Sequence, residues 1–113
     1  MAVIPIHPED DLTPEEQQRL KILGICREVA NELFRAKKLH PSKFHSPHEA
    51  DSTIREEYEE FWDEVKAFNL PKGRDTRPAM RVELIQLAAM AVRAILEVTD
   101  ADGLVESLSG KDA

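Results

Sequence analysis

Apolar residues recur at helical spacing in three stretches of the chain. In the first, Ile22, Cys26, Val29 and Leu33 form one stripe, widened by Ile25, Ala30 and Phe34. Its start is marked by Thr13 as N-cap, Pro14 at the first helical position and Glu16 completing a T-x-x-E capping box. The helix is predicted to run to about Lys38, where Arg35, Lys37 and Lys38 suit the negative end of the dipole and His40-Pro41 stops it. Gly24 costs such a helix about 1 kcal/mol relative to Ala, which points to a close helix approach at that position. Cys26 reads as a small core residue.

The second stretch runs from Ser46 to Phe68 and opens with the same signature, Ser46-Pro47-His48-Glu49. Ile54, Tyr58, Phe61, Val65 and Phe68 follow at i, i+4, i+7, i+11 and i+14. At about 100° per residue, Glu57, Glu60 and Glu64 fall on one flank of that stripe. Glu56, Glu59 and Asp63 point to the opposite, solvated side. Like charges at i, i+3 and i+4 repel, and a divalent cation is the group that offsets such a row of carboxylates. Pro71 and Gly73 end the helix, and Lys72, Arg74 and Arg77 make the next loop basic.

A third helix is predicted from near Asp75 or Thr76, with Pro78 in its first turn, to about Thr99. Its middle, Leu84 to Val92, is apolar almost all round, which demands burial on several sides. Two other helices of a small chain cannot supply that, so burial against a second copy is expected, with Ala88, Ala89, Ala91 and Ala94 admitting a close neighbour. Glu83 and Gln86 interrupt this surface one turn apart, and Arg93 and Glu97 lie along the same strip. A buried carboxylate is costly unless paired or bound to metal.

The chain of 113 residues fits a single domain, an all-α bundle of three main helices completed by oligomerisation. Residues 1–12, with two prolines, read as an extended arm, and residues 100–113 as a short C-terminal tail with a turn at Asp102-Gly103. The net charge of −7 disfavours a duplex nucleic acid as partner. No apolar run is long enough to span a membrane. The N-terminus has no secretory pattern and one cysteine makes no internal disulfide, so a cytoplasmic location is expected. His40, His45 and His48 match no zinc spacing and read as loop and helix-start residues.

Glu56-Glu57-x-x-Glu60 on one helix, with Glu64 one turn on, and Glu83-x-x-Gln86 on the next form a pair of acidic motifs. With EEYEEFWDEVK followed by RPAMRVELIQLAAMAVRAI, this stretch resembles the MazG-type all-α nucleoside triphosphate pyrophosphohydrolases, whose motifs are E-E-x-x-E and E-x-x-D. The resemblance covers about Ser46 to Val98. It implies a homodimeric or homotetrameric helical bundle that hydrolyses a (d)NTP to (d)NMP and pyrophosphate with Mg²⁺, or Mn²⁺ in its place. By position, Glu57, Glu60, Glu83 and Gln86 would hold the metal, and Glu60 or Glu64 would serve as general base. Lys72, Arg74, Arg77 and Arg81 would contact phosphates, and Trp62 would stack on the base or close the pocket. Gln86 departs from the family's aspartate, and Glu64 is placed to restore a fourth carboxylate. The alternative is a catalytically degenerate scaffold of the same fold whose acidic face binds a protein partner.

Overall fold

The computed structural model describes residues 11–99. Residues 1–10 of the arm expected over residues 1–12, and the tail expected over residues 100–113, lie outside the described residues. Three helices account for nearly all of the rest: α1 (Pro14–Leu39), α2 (Pro47–Phe68) and α3 (Arg77–Val98). Among the described residues no strand occurs, so the chain is all-α.

The helix starts follow from local chemistry. Thr13 Oγ1 accepts from the Glu16 N–H at 3.1 Å, and Glu16 Oε1 accepts from the Thr13 N–H at 3.4 Å, closing the box. At α2, Ser46 Oγ accepts from the Glu49 N–H at 3.2 Å. The Glu49 side chain lines a cavity there, described below, in place of the predicted second half of the box. At α3, Thr76 occupies the N-cap position without capping through its side chain. Its hydroxyl donates instead to the Glu64 carbonyl at 2.6 Å, and Thr76 is only 2% exposed. This bond ties the end of α2 to the start of α3. The turn between them also needs Gly73, because a Cβ there would sit 2.4 Å from the Ala67 carbonyl oxygen and 2.9 Å from two others. Gly73→Ala is expected to cost about 1–3 kcal/mol, the usual range for overpacking, read as a lower midpoint in urea unfolding.

α3 is the spine. It packs against α2 and against α1, while α1 and α2 do not pack on each other. The chain runs up, down and up. α2 is antiparallel to α3, with Glu64 level with Thr76 and Phe44 level with Glu97. α1 is parallel to α3, with Arg81 bonded to Glu28 at one end and Arg93 to the His40 carbonyl at the other. Leu33, Phe44, Ala50, Ala89 and Met90 form the core, with Val29, Ala36, Ile54, Ala94 and Val98 against it.

The loop joining α1 to α2 is fastened by one side chain. Arg93 is 5% exposed. Its guanidinium donates to both Glu97 carboxylate oxygens at 3.2 Å, to the His40 carbonyl at 3.2 Å and to the Ser42 carbonyl. It also stacks on the Phe44 ring, 4.6 Å from the centroid. Glu97 in turn accepts from the Phe44 N–H at 2.8 Å and faces Lys37 Nζ at 3.8 Å.

Three expectations about packing change. Cys26 is exposed, and nothing lies within 4 Å of a Cβ at Gly24, so no helix approaches closely there within one chain. The cause is length. Both α1–α3 contacts named above share an offset of 53 residues, which sets the first residue of α3 level with Gly24. Residues before it extend past the spine, leaving Ile22 exposed, and Ile25 and Cys26 lie level with only the first turn of α3. Tyr58, expected in the core, is 51% exposed. The face of α2 turned to α3 is rotated toward Ala50, Ile54, Glu57, Phe61 and Glu64, all buried or half-buried. Leu84, Val92 and Ile95 on the outer face of α3 are exposed, and here the expectation holds that one chain alone does not cover that helix.

Candidate metal centre

The rotation of α2 brings acids into the seam with α3. Because the two helices are antiparallel, Glu57 and Glu60 on α2 meet Glu83 on α3. One carboxylate oxygen from each lies within 4.8 Å of the others. Glu57 and Glu83 are half-buried, and Glu60 is at the exposed edge. Buried oxygens of Glu57, Glu64 and Glu83 have no hydrogen-bond partner. Buried polar atoms are nearly always satisfied, so carboxylate oxygens without a hydrogen bond in one seam are a strong physical signal, clearest at Glu57 and Glu83, which have no ion pair either among the described residues.

The electrostatics agree. Burial, then a hydrogen bond shared with Glu60, then the charges of Glu60, Glu57 and Glu64 push the Glu83 carboxyl from its ordinary 4.5 up to about 7. Glu57 is also raised, by burial first and then by the charges of Glu60, Glu32 and Glu56, with Arg35 opposing. Three carboxylates held this close cannot all ionise without a counter-charge.

Beside this cluster a cavity of about 470 Å³ opens between α1 and α2, floored by Gln86, Met90 and Arg93 of α3. Glu57 belongs to both the cluster and the cavity wall. Glu49, Thr53 and Glu56 continue that wall, and Glu32 and Arg35 stand opposite on α1. Gln86, one turn from Glu83 on α3, lies on the cavity floor. Glu64 is one turn further along α2, with Arg74 Nη2 at 3.7 Å from its Oε2.

The basic and aromatic residues expected to bind substrate do not line this cavity. Arg77 donates to Asp75 at 2.9 and 3.0 Å and holds that carboxyl down at about 2. Arg81 pairs with Glu28 at 2.5 Å on the α1 side. Trp62 is 45% exposed, with Lys66 Nζ 5.9 Å from its ring. Lys72 lies in the α2–α3 loop, outside the cavity.

Sequence reasoning missed Glu32 and Arg35. They form a two-pronged ion pair on α1, with Arg35 Nε 2.7 Å from Glu32 Oε2, and this bond lowers the Glu32 carboxyl. An i,i+3 pair on a helix reads as ordinary surface. The available signal was the position of Glu32 beside the Val29–Leu33–Ala36 stripe, which turns it toward the interior.

Comparison with protein families, with curated proteins and with solved structures returns no match to this chain. Among the described residues no helix is long and apolar enough to cross a membrane.

Proposed function

We propose that the protein is a Mg²⁺-dependent nucleoside triphosphate pyrophosphohydrolase of MazG-like type, working as an oligomer in the cytoplasm. The observation that supports this reading most is the convergence of Glu57, Glu60 and Glu83, of which Glu57 and Glu83 each keep a buried oxygen without a hydrogen-bond partner. An all-oxygen donor set of carboxylates fits a hard divalent cation. Glu57, Glu60 and Glu83 would hold it. When bound, Mg²⁺ supplies charge neutralisation for phosphate oxygens and makes a nearby water more acidic.

The chain's own residues fill the other roles. Glu64 sits one turn from the cluster, its buried oxygen held by no hydrogen bond and only loosely by Arg74 at 3.7 Å, which suits it to take a proton from the attacking water. Glu60, at the exposed edge, is the second candidate for that role. The cavity takes the body of the nucleotide. Arg35, opposite Glu57 and paired with Glu32 at the exposed wall, is the cavity cation that would exchange the Glu32 carboxylate for a phosphate, since Arg93 is buried and held by Glu97 and two carbonyls. Gln86 on the cavity floor, one turn from Glu83, would offer the metal an amide oxygen in place of a fourth carboxylate. Leu84, Val92 and Ile95 on α3 offer a second copy an apolar surface.

The test is pyrophosphate release from a panel of (d)NTPs with Mg²⁺ or Mn²⁺. Turnover of at least one nucleotide is expected, abolished by Glu57→Ala. Absence of turnover across the panel at high enzyme concentration, with no divalent-ion binding by calorimetry, defeats the reading. Binding of the ion without any turnover favours the degenerate scaffold, and Gln86→Asp then shows whether a fourth carboxylate restores hydrolysis.

A further inference from the structure

A second face of α1 is unexplained by the cavity or the metal cluster. Glu16, Leu20, Leu23, Arg27, Ala30 and Phe34 recur at alternating spacings of four and three, which is the seam of a coiled coil. All six are exposed, Leu20 at 54%, Leu23 at 57% and Phe34 at 67%. The seam lies on the side of α1 turned away from Val29 and Leu33, and residues before Gly24 extend past α3. Beside it, Leu12, Thr13, Glu15, Glu16, Arg19, Leu20 and Leu23 line a shallow groove of about 580 Å³.

The charges select the occupant. Glu16 and Arg27 stand at equal distances from the midpoint of Leu20 and Leu23, with opposite signs. A surface of that kind is complementary to itself under two-fold rotation. Antiparallel pairing opposes Glu16 to Arg27 at both ends and Leu20 to Leu23 in the middle. Parallel pairing opposes like charges at both ends. Sliding the antiparallel register by one heptad sets Arg27 against Leu23 and Glu16 against Phe34. Glu16 keeps one carboxylate oxygen outside its capping bond. No ion pair of Arg27 forms among the described residues.

We infer that α1 pairs antiparallel with α1 of a second copy through Glu16, Leu20, Leu23 and Arg27, making a two-fold dimer. The contact involves about three turns of each helix, well below the span of a large obligate interface, so the dimer is a reversible one. This inference is independent of nucleotide hydrolysis, and it places a second copy on a different surface from the outer face of α3.

Sedimentation equilibrium of the full chain tests it. Dimerisation that grows from low micromolar to submillimolar concentration is expected. Leu23→Glu raises the dissociation constant at least about tenfold, the effect of losing a central apolar anchor. Arg27→Glu alone weakens the dimer, and Glu16→Lys combined with Arg27→Glu restores it, because the swap re-forms both end pairs. Circular dichroism confirms unchanged helix content in each variant. A chain that stays monomeric throughout overturns the inference, whether residues 1–10 of the same chain or nothing covers the seam. So does a dimer indifferent to Leu23→Glu, which assigns association to α3, and so does a charge swap that fails to rescue.

Discussion

Arg93→Ala is expected to destabilise the fold by about 3–5 kcal/mol, the cost of breaking a buried ion pair from one side. Four groups lose their partner at once. The Glu97 carboxylate is left with only Lys37, 3.8 Å away, and the Phe44 N–H. The His40 and Ser42 carbonyls lose their donor. The Phe44 ring loses the cation above it. For a chain of this size each kcal/mol moves the melting temperature by about 4–8 °C, so a drop of more than about 12 °C is expected in a thermal scan. Arg93→Met with Glu97→Leu removes both charges and should recover part of the loss. It should not recover all, because the loop carbonyls and the Phe44 N–H stay unpaired. A single-variant loss below about 1 kcal/mol would put this pair on the level of an exposed one.

The second large effect is at Glu83, where stability and metal binding are expected to move in opposite directions. The folded chain raises this carboxyl from 4.5 to about 7, so it holds the proton more tightly folded than unfolded. The folded state is therefore favoured most below the unfolded value of 4.5. That advantage is lost as the pH rises through about 7. In metal-free protein the melting temperature should fall between pH 5 and pH 8 in a thermal scan. Glu83→Gln should flatten that fall and raise the melting temperature at pH 8. The same substitution removes one of three converging carboxylates. Changes in groups that merely support a ligand cost about 10–100-fold in metal affinity, so losing a ligand should cost at least about 100-fold, measured by Mn²⁺ titration. A wild type whose melting temperature is flat with pH would show that the carboxylates do not share a proton.

The parts of this architecture legible in the sequence are those set by near neighbours. Thr13, Pro14 and Glu16, and Ser46 with Pro47, mark helix starts because caps act over three or four residues. The pairing of Glu57 and Glu60 with Glu83 was legible as two acidic motifs on successive helices. What escaped depends on how helices end against one another. Cys26 looked like core because its stripe continues that of Leu33, yet it lies level with only the first turn of α3 and is exposed. Tyr58 looked buried because hydropathy centres the α2 stripe on it, whereas the face that packs on α3 is centred on Ala50, Ile54 and Phe61 and carries Glu57 and Glu64 into the seam with them. Arg93 and Glu97 stood out as polar interruptions. Their hold on the loop depends on carbonyl groups that no side-chain pattern records.

The absence of direct packing between α1 and α2 has a consequence for how this protein responds to change. Residues far apart with no shared neighbours combine their effects additively, whereas coupled ones do not. The two cavity walls are thus separate modules for shape: a packing change on one reaches the other only through α3. They are not separate for charge. Glu32, Arg35 and Glu57 act on one another across the open space, so epistasis between the walls should be concentrated in those three residues.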